Sequence, residues 1–188
     1  MHFEFLTEDK SSKEAMSILI PKLLGNSVSY KIINYKGLGH IPKNMHPKTD
    51  PCKRKLLDQL PKILRGYGRS PNCGTVVIIC DLDKRNKQEF LLELQGILND
   101  CSPKPKTLFC LAIEEFEAWY LGDTNAIKKA YPLAKIGVLN NYINDSICGT
   151  WELLADAVYK GGHKILQKKA GWPLESRSQI GRKLSVLI

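Results

Sequence analysis

Acidic side chains recur in this chain directly after apolar runs, and that placement suits them to hold a metal ion. The run Thr75 to Cys80 passes straight into Asp81 and Asp83, His2 to Thr7 ends on Glu8 and Asp9, and Lys106 to Ile113 ends on Glu114, Glu115 and Glu117. Carboxylate oxygens are hard ligands that select Mg²⁺ or Mn²⁺ over softer ions. Two Asp residues one position apart on an extended segment face the same side, so Asp81 and Asp83 could share a cation. A plainer reading makes both of them caps of the following helix, and D-x-D alone is a weak motif. Like charges a few ångströms apart repel and raise one another's pKa. Three acidic ends in a protein of net charge +9 therefore suggest Mg²⁺ or Mn²⁺ as cofactor, held by Glu8, Asp81 and Asp83.

The elements that must gather these ends are legible from periodicity. Thr75 to Cys80 is a near-continuous apolar run opened by Gly74, which predicts a strand buried on both faces of a parallel sheet. His2 to Thr7, Ser27 to Tyr35 and Lys106 to Ile113 are predicted as its neighbours. Between them, Ser11 and Glu14 match a capping box that opens a helix running to Gly25. Asp50 and Pro51 open a second helix that Pro61 should break, with a short helix to Gly66 after it. A third helix runs from about Asn86 to Asn99 on the stripe Phe90, Leu91, Leu94, Ile97 and Leu98. Alternating strands and helices imply an α/β fold, a Rossmannoid parallel sheet flanked by helices, with all strand ends emerging on one edge. In such sheets that edge is where ligands bind. From Asp123 onward the pattern is helical, with caps at Asp123 or Thr124 and at Thr150. The division is a core over 1–122 and a helical carboxyl-terminal extension over 123–188, packed on that core.

Charge points to a polyanionic partner. Lys36 to Arg69 holds nine Lys or Arg against Asp50 and Asp58, so this segment contributes +7. Lys36, Lys53, Arg54 and Lys55 are its candidate nucleic-acid contacts, and Lys164, Lys168 and Lys169 form a further basic face; a solvated surface is the alternative for both. The Lys36-Gly37-Leu38-Gly39-His40 loop could let backbone approach phosphate, or be a plain turn. Six scattered cysteines without a C-x-x-C pair read as reduced thiols. The chain has neither an apolar run of membrane-spanning length nor a signal-like start, and a cytoplasmic location is expected. Its apolar end at Ile188 could dock or form an interface, so a homodimer is one candidate assembly.

The chain resembles the Toprim domain of topoisomerases, primases and overcoming-lysogenization-defect (OLD) nucleases in its glutamate after the first strand and D-x-D after a later buried strand. More closely it is similar to a Toprim-related bacterial domain of unknown function, number forty-two seventy-six. The matching stretches are Leu6-Thr7-Glu8-Asp9 with its helix to Gly25, Val76 to Asp83, Ala112 to Tyr120, and Gly149-Thr150-Trp151-Glu152. E-x-E-A-W is the most specific of them, and Glu175 to Gln179 matches the family's ending loosely. The resemblance implies metal-dependent phosphodiester cleavage of DNA or RNA. It implies catalytic roles for Glu8, Asp81 and Asp83, with Glu115 and Glu117 completing or supporting the metal site. It also implies an ATPase partner in phage defence, since the chain carries no P-loop of its own. A Toprim-like module that binds nucleic acid or a partner without cutting is the alternative, and a small-molecule phosphohydrolase is a third class. Glu114 could be a surface residue or the cap of the helix containing Trp119. Trp119, Tyr120 and Trp151 read as core aromatics.

Overall fold

A computed structural model describes residues 1–25, 27–42, 54–70, 74–168 and 180. Four strands, β1 (His2–Thr7), β2 (Ser29–Asn34), β3 (Thr75–Asp81) and β4 (Thr107–Ala112), form one all-parallel sheet in the order β2-β1-β3-β4. Every residue of β3 from Thr75 to Cys80 is buried, as its β-branched run requires of a strand covered on both faces. The chain moves from β1 outward to β2, then returns to the other side of β1 to lay down β3. Strand order therefore reverses between β1 and β3. In open α/β sheets the crevice outside the strand ends at such a reversal is the ligand site.

Side-chain alternation along the strands divides the core into two layers. On one face Phe5, Val77 and Ile79 pack with α1 (Lys10–Leu24) and with the helices that follow β4: α4 (Glu117–Leu121), α5 (Thr124–Ala130), α6 (Ile136–Leu139) and α7 (Thr150–Val158). On the other face Leu6, Val76, Ile78 and Cys80 pack with α2 (Leu56–Gly68) and α3 (Lys87–Asn99). The structure is thus a Rossmann-like α/β sandwich. Ile127, Leu139 and Leu154, from beyond residue 122, lie in the same apolar cluster as β1, β3 and α1. A last helix, α8 (Gly162–Lys168), packs against α7 through Leu166 beside Trp151 and Ala155.

Several helix ends differ from expectation. Asp9, not Ser11, caps α1: its carboxylate accepts from the Ser12 amide at 2.8 Å and from the Ser11 hydroxyl at 2.7 Å. Pro61 does not break α2, which runs unbroken from Leu56 to Gly68. Its missing amide forfeits one hydrogen bond, but Leu56, Leu57, Leu60 and Leu64 are all buried along one stripe, and packing of that stripe outweighs the local loss. Asn86 caps α3 through bonds from the Gln88 and Glu89 amides, so neither Asp81 nor Asp83 does so. Tyr120 and Trp151 are core residues, whereas Trp119 is 36% exposed. Helix α4 is five residues long and turns Ala118, Tyr120 and Leu121 inward, leaving Trp119 outside with its ring on Phe116 at 4.7 Å between centroids. Lys53, Lys169, the Asp50–Pro51 helix start and the tail Glu175 to Gln179 lie outside the described residues.

Candidate active site

Glu8 and Asp81 meet at the strand-order reversal. Glu8 is the first residue past β1, Asp81 is the last of β3, and a Glu8 carboxylate oxygen lies 3.4 Å from the Asp81 amide that donates to it. The Leu38 amide donates to the same carboxylate. Burial pushes the Glu8 carboxyl up to about 7; Asp9 and Asp83 push the same way, and the Asp81 amide pulls against them. Asp81 is held well above the ordinary carboxylate range, first by burial and then by Glu8, Glu117, Asp9 and Glu115. Its carboxylate accepts no hydrogen bond from any described residue. It lines a cavity of about 20 Å³ together with Asp9, Ser11, Ser12, Glu117 and Tyr120, roughly the room for a single water molecule or bare cation. Glu117, 9% exposed at the start of α4, supplies the carboxylate opposite.

The two aspartates of D-x-D do not share this cavity. The chain leaves extended geometry after Asp81, and Asp83 adopts the left-handed region at φ 51°. Glu114 does the same at φ 65°, and the Asp83 amide donates to the Glu114 carbonyl at 2.8 Å. Two non-glycine residues in that sparsely populated region, bonded to each other at adjacent strand exits, mark a backbone constrained by its surroundings. Asp83 is exposed, pairs with Arg85 at 3.2 Å, and lines an open groove of about 640 Å³ with Lys84, Arg85, Glu114, Glu115 and Glu152. Arg85 also stacks over Phe90 at 4.9 Å.

Glu114 and Glu115 turn toward α7. The Glu114 carboxylate accepts from the amides of Cys148 (3.2 Å), Gly149 (3.0 Å) and Thr150 (2.9 Å), and Glu115 accepts from the Trp151 amide at 3.2 Å. These are the orphan donors of a helix start, where the macrodipole favours negative charge. Thr150 was expected to cap α7 itself, but its buried hydroxyl has no hydrogen-bond partner among the described residues. A distant carboxylate has taken that place.

The glycine loop is a structural turn. Its Gly37 and Leu38 carbonyls accept from the Leu56 and Leu57 amides, which caps α2, and the Gly37 amide donates to the Glu8 carbonyl. Gly37 and Gly39 hold φ values of 100° and 74°, and a Cβ on Gly39 would strike Asp58 and Lys55. Lys55 therefore lies across the loop. Lys36 and Arg54 are exposed and joined through the Lys36 amide and the Arg54 carbonyl at 2.9 Å. Lys164 is exposed on α8, a different part of the fold.

Of the residues read from sequence, Glu8, Asp81 and Glu117 come together, Asp83 and Glu115 stand at the rim, and Lys36 and Arg54 flank the β1 exit. Asp9 joins the cavity as well, and its signal was the Asp followed by Ser-Ser at a helix start. Among the described residues no group of three or more His, Cys, Asp or Glu side chains stands close enough to hold a metal ion as placed. The donor set is nonetheless all oxygen, and Mg²⁺ is commonly held by one or two carboxylates, with water and substrate phosphate completing its shell. The residues fit a hard cation on that ground. No family model, curated protein or solved structure matches the chain. No described helix is long and apolar enough to cross a membrane.

Proposed function

We propose that this chain is a Toprim-like, Mg²⁺- or Mn²⁺-dependent nuclease whose cation is held by Asp81 and Glu8 with Glu117 beside them. One observation carries the reading: two carboxylates from the strands that flank the order reversal share a poorly solvated place, and Asp81 has no donor to neutralise it. A buried carboxylate without a partner is costly, and a cation would remove the cost. When bound, such an ion polarises a phosphodiester and acidifies a water. The chain's own groups have separate tasks. Asp81 and Glu8 fix the ion's place at the ends of rigid strands. Lys84 and Arg85, on the rim of the open groove, are positioned for phosphate oxygens, and Asp83 orients the Arg85 guanidinium. Lys36 and Arg54 extend the cationic surface beyond the β1 exit.

The test is cleavage of mixed DNA and RNA substrates with Mn²⁺, alone and with a candidate ATPase partner. Asp81→Asn and Glu8→Gln should lose on the order of a hundredfold in turnover while retaining substrate affinity. Calorimetry should show Mn²⁺ binding to the wild type and none to Asp81→Asn. Equal cleavage by all three proteins would mean that the active residues lie elsewhere. The engagement of Asp83 by Arg85 and of Glu115 by α7 favours a second reading, a non-cleaving module that binds nucleic acid or a partner ATPase. Intact substrate after long incubation with wild type, Mn²⁺ and partner would establish that one.

A further inference from the structure

Helix α2 presents two unlike faces. Leu56, Leu57, Leu60 and Leu64 are buried in the core, and the opposite side borders an open groove of about 560 Å³ beside the edge strand β2. Tyr35, Arg54, Gln59, Lys62, Tyr67 and Ser70 line it. The Tyr67 hydroxyl donates to Glu4 at 3.2 Å, which pins that ring, and Arg54 is held at φ 46° with its carbonyl bonded to the Lys36 amide. Gly66 forms part of the floor. It sits inside a helix, where glycine costs about 1 kcal/mol relative to alanine, and a Cβ added there would meet nothing within 4 Å. Packing gives no reason for that glycine; an unfilled groove does.

Aromatic rings and cations lining one groove are the combination that recognises unpaired bases joined by phosphates, since a duplex hides its base faces. The groove also leads to the acidic edge. Arg54 is bonded to Lys36, and the next residue, Gly37, is bonded to the Glu8 carbonyl. We infer that this groove binds a short single-stranded segment of nucleic acid, its bases against Tyr35 and Tyr67 and its phosphates on Arg54 and Lys62, with one end of the strand directed toward Glu8. The inference rests on the nuclease reading for its orientation, but the binding itself needs none of the carboxylates.

The experiment is fluorescence anisotropy in EDTA, with a 5′-fluorescein strand of eight thymidines and the matching blunt duplex as probes, at several salt concentrations. Wild type should bind the strand about tenfold or more tightly than the duplex. The double variant Arg54→Gln/Lys62→Gln, both exposed positions, should flatten the slope of log affinity against log salt by about two, one for each lost phosphate contact. Gly66→Gln should weaken strand binding about tenfold or more by filling the groove, with a melting temperature equal to or above wild type. Wild-type affinity and slope in both variants would overturn the assignment, as would failure of wild type to bind the strand or equal binding of the duplex. Displacement of the strand by thymidine monophosphate at equal affinity would make this a mononucleotide site and overturn it too. Asp81→Asn, run in parallel, should bind as wild type does. Loss of binding in the groove variants, with no cleavage by wild type in Mn²⁺, would remove the nuclease reading and leave the groove standing.

Discussion

Glu8→Gln should stabilise the metal-free protein at alkaline pH while leaving it unchanged in acid. The Glu8 carboxyl is raised from 4.5 to about 7 in the fold, chiefly by burial and next by neighbouring carboxylates that outnumber its amide donors. The folded protein therefore binds the Glu8 proton more tightly than the unfolded chain does. Below about pH 4.5 both states are protonated and Glu8 has no effect. As pH rises toward 7 the unfolded chain releases the proton first, and stability falls. Once both states are ionised the loss is complete, at roughly 3 kcal/mol for about 1.36 kcal/mol per tenfold change in proton affinity. Glutamine keeps an oxygen to accept from the Asp81 and Leu38 amides without the charge. For a chain of 188 residues, 3 kcal/mol corresponds to roughly 6–12 °C in melting temperature. Scanning calorimetry of both proteins in EDTA should give superimposed transitions near pH 4 and a gap of that order at pH 8, the variant higher. Saturating Mn²⁺ should close the gap by raising wild type alone. A variant that melts below wild type at pH 8 in EDTA would refute the electrostatic account, because Glu8 would then be stabilising the fold by contacts that glutamine cannot replace.

Glu114→Ala should cost about 1–3 kcal/mol in urea denaturation, because three amides at the start of α7 lose their acceptor; a change under about 0.5 kcal/mol would show that water replaces it. Gly74→Ala should cost about 2 kcal/mol or more, since the residue holds φ 72° and an added Cβ would strike the His2 carbonyl at the start of β1; normal thermal stability would place the β1–β3 junction differently. Asp156 accepts from the His163 amide at 2.8 Å and pairs with its ring at 2.9 Å, and these bonds hold the Asp156 carboxyl below its ordinary value. Its stabilisation is thus present above the unfolded pKa of 3.8 and lost as pH falls through the lower folded value; hydrogen exchange should show α8 opening ahead of the sheet in acid, and uniform loss of protection would contradict this.

What the sequence disclosed follows from the range of each interaction. The run Thr75 to Cys80 could be read as a doubly covered strand because burial on both faces leaves a local trace, and Asn86 as a helix start because a cap acts over three residues. From the strand endings it followed that Glu8, Asp81 and Glu117 would share an edge. Their finer arrangement depended on geometry that no spacing encodes. Asp83 parts from Asp81 because the backbone turns left-handed against Glu114, a residue 31 positions later. Thr150 looked like a cap until the chain folded and brought Glu114 to its amide. Pro61 looked like a break because its local cost was visible and the leucine stripe's contribution was not. The groove along α2 was hidden for the same reason: Tyr35, Lys62 and Tyr67 become neighbours only when β2 and α2 lie side by side.

The clamp that Glu114 and Glu115 place on α7 has a consequence for the order in which the molecule can be completed. A chain made only as far as Leu121 possesses all four strands and every carboxylate of the edge, yet lacks the amides of Cys148, Gly149, Thr150 and Trp151. Two carboxylates would then stand beside Asp81 with nothing to receive their charge, on a face where like charges already repel. During synthesis the acidic edge thus reaches its final form after residue 151 has been added and α7 has begun to wind. The segment furthest in sequence from Glu8 is what makes its crowded neighbourhood tolerable, and the timing of its arrival sets when the edge can first hold its shape.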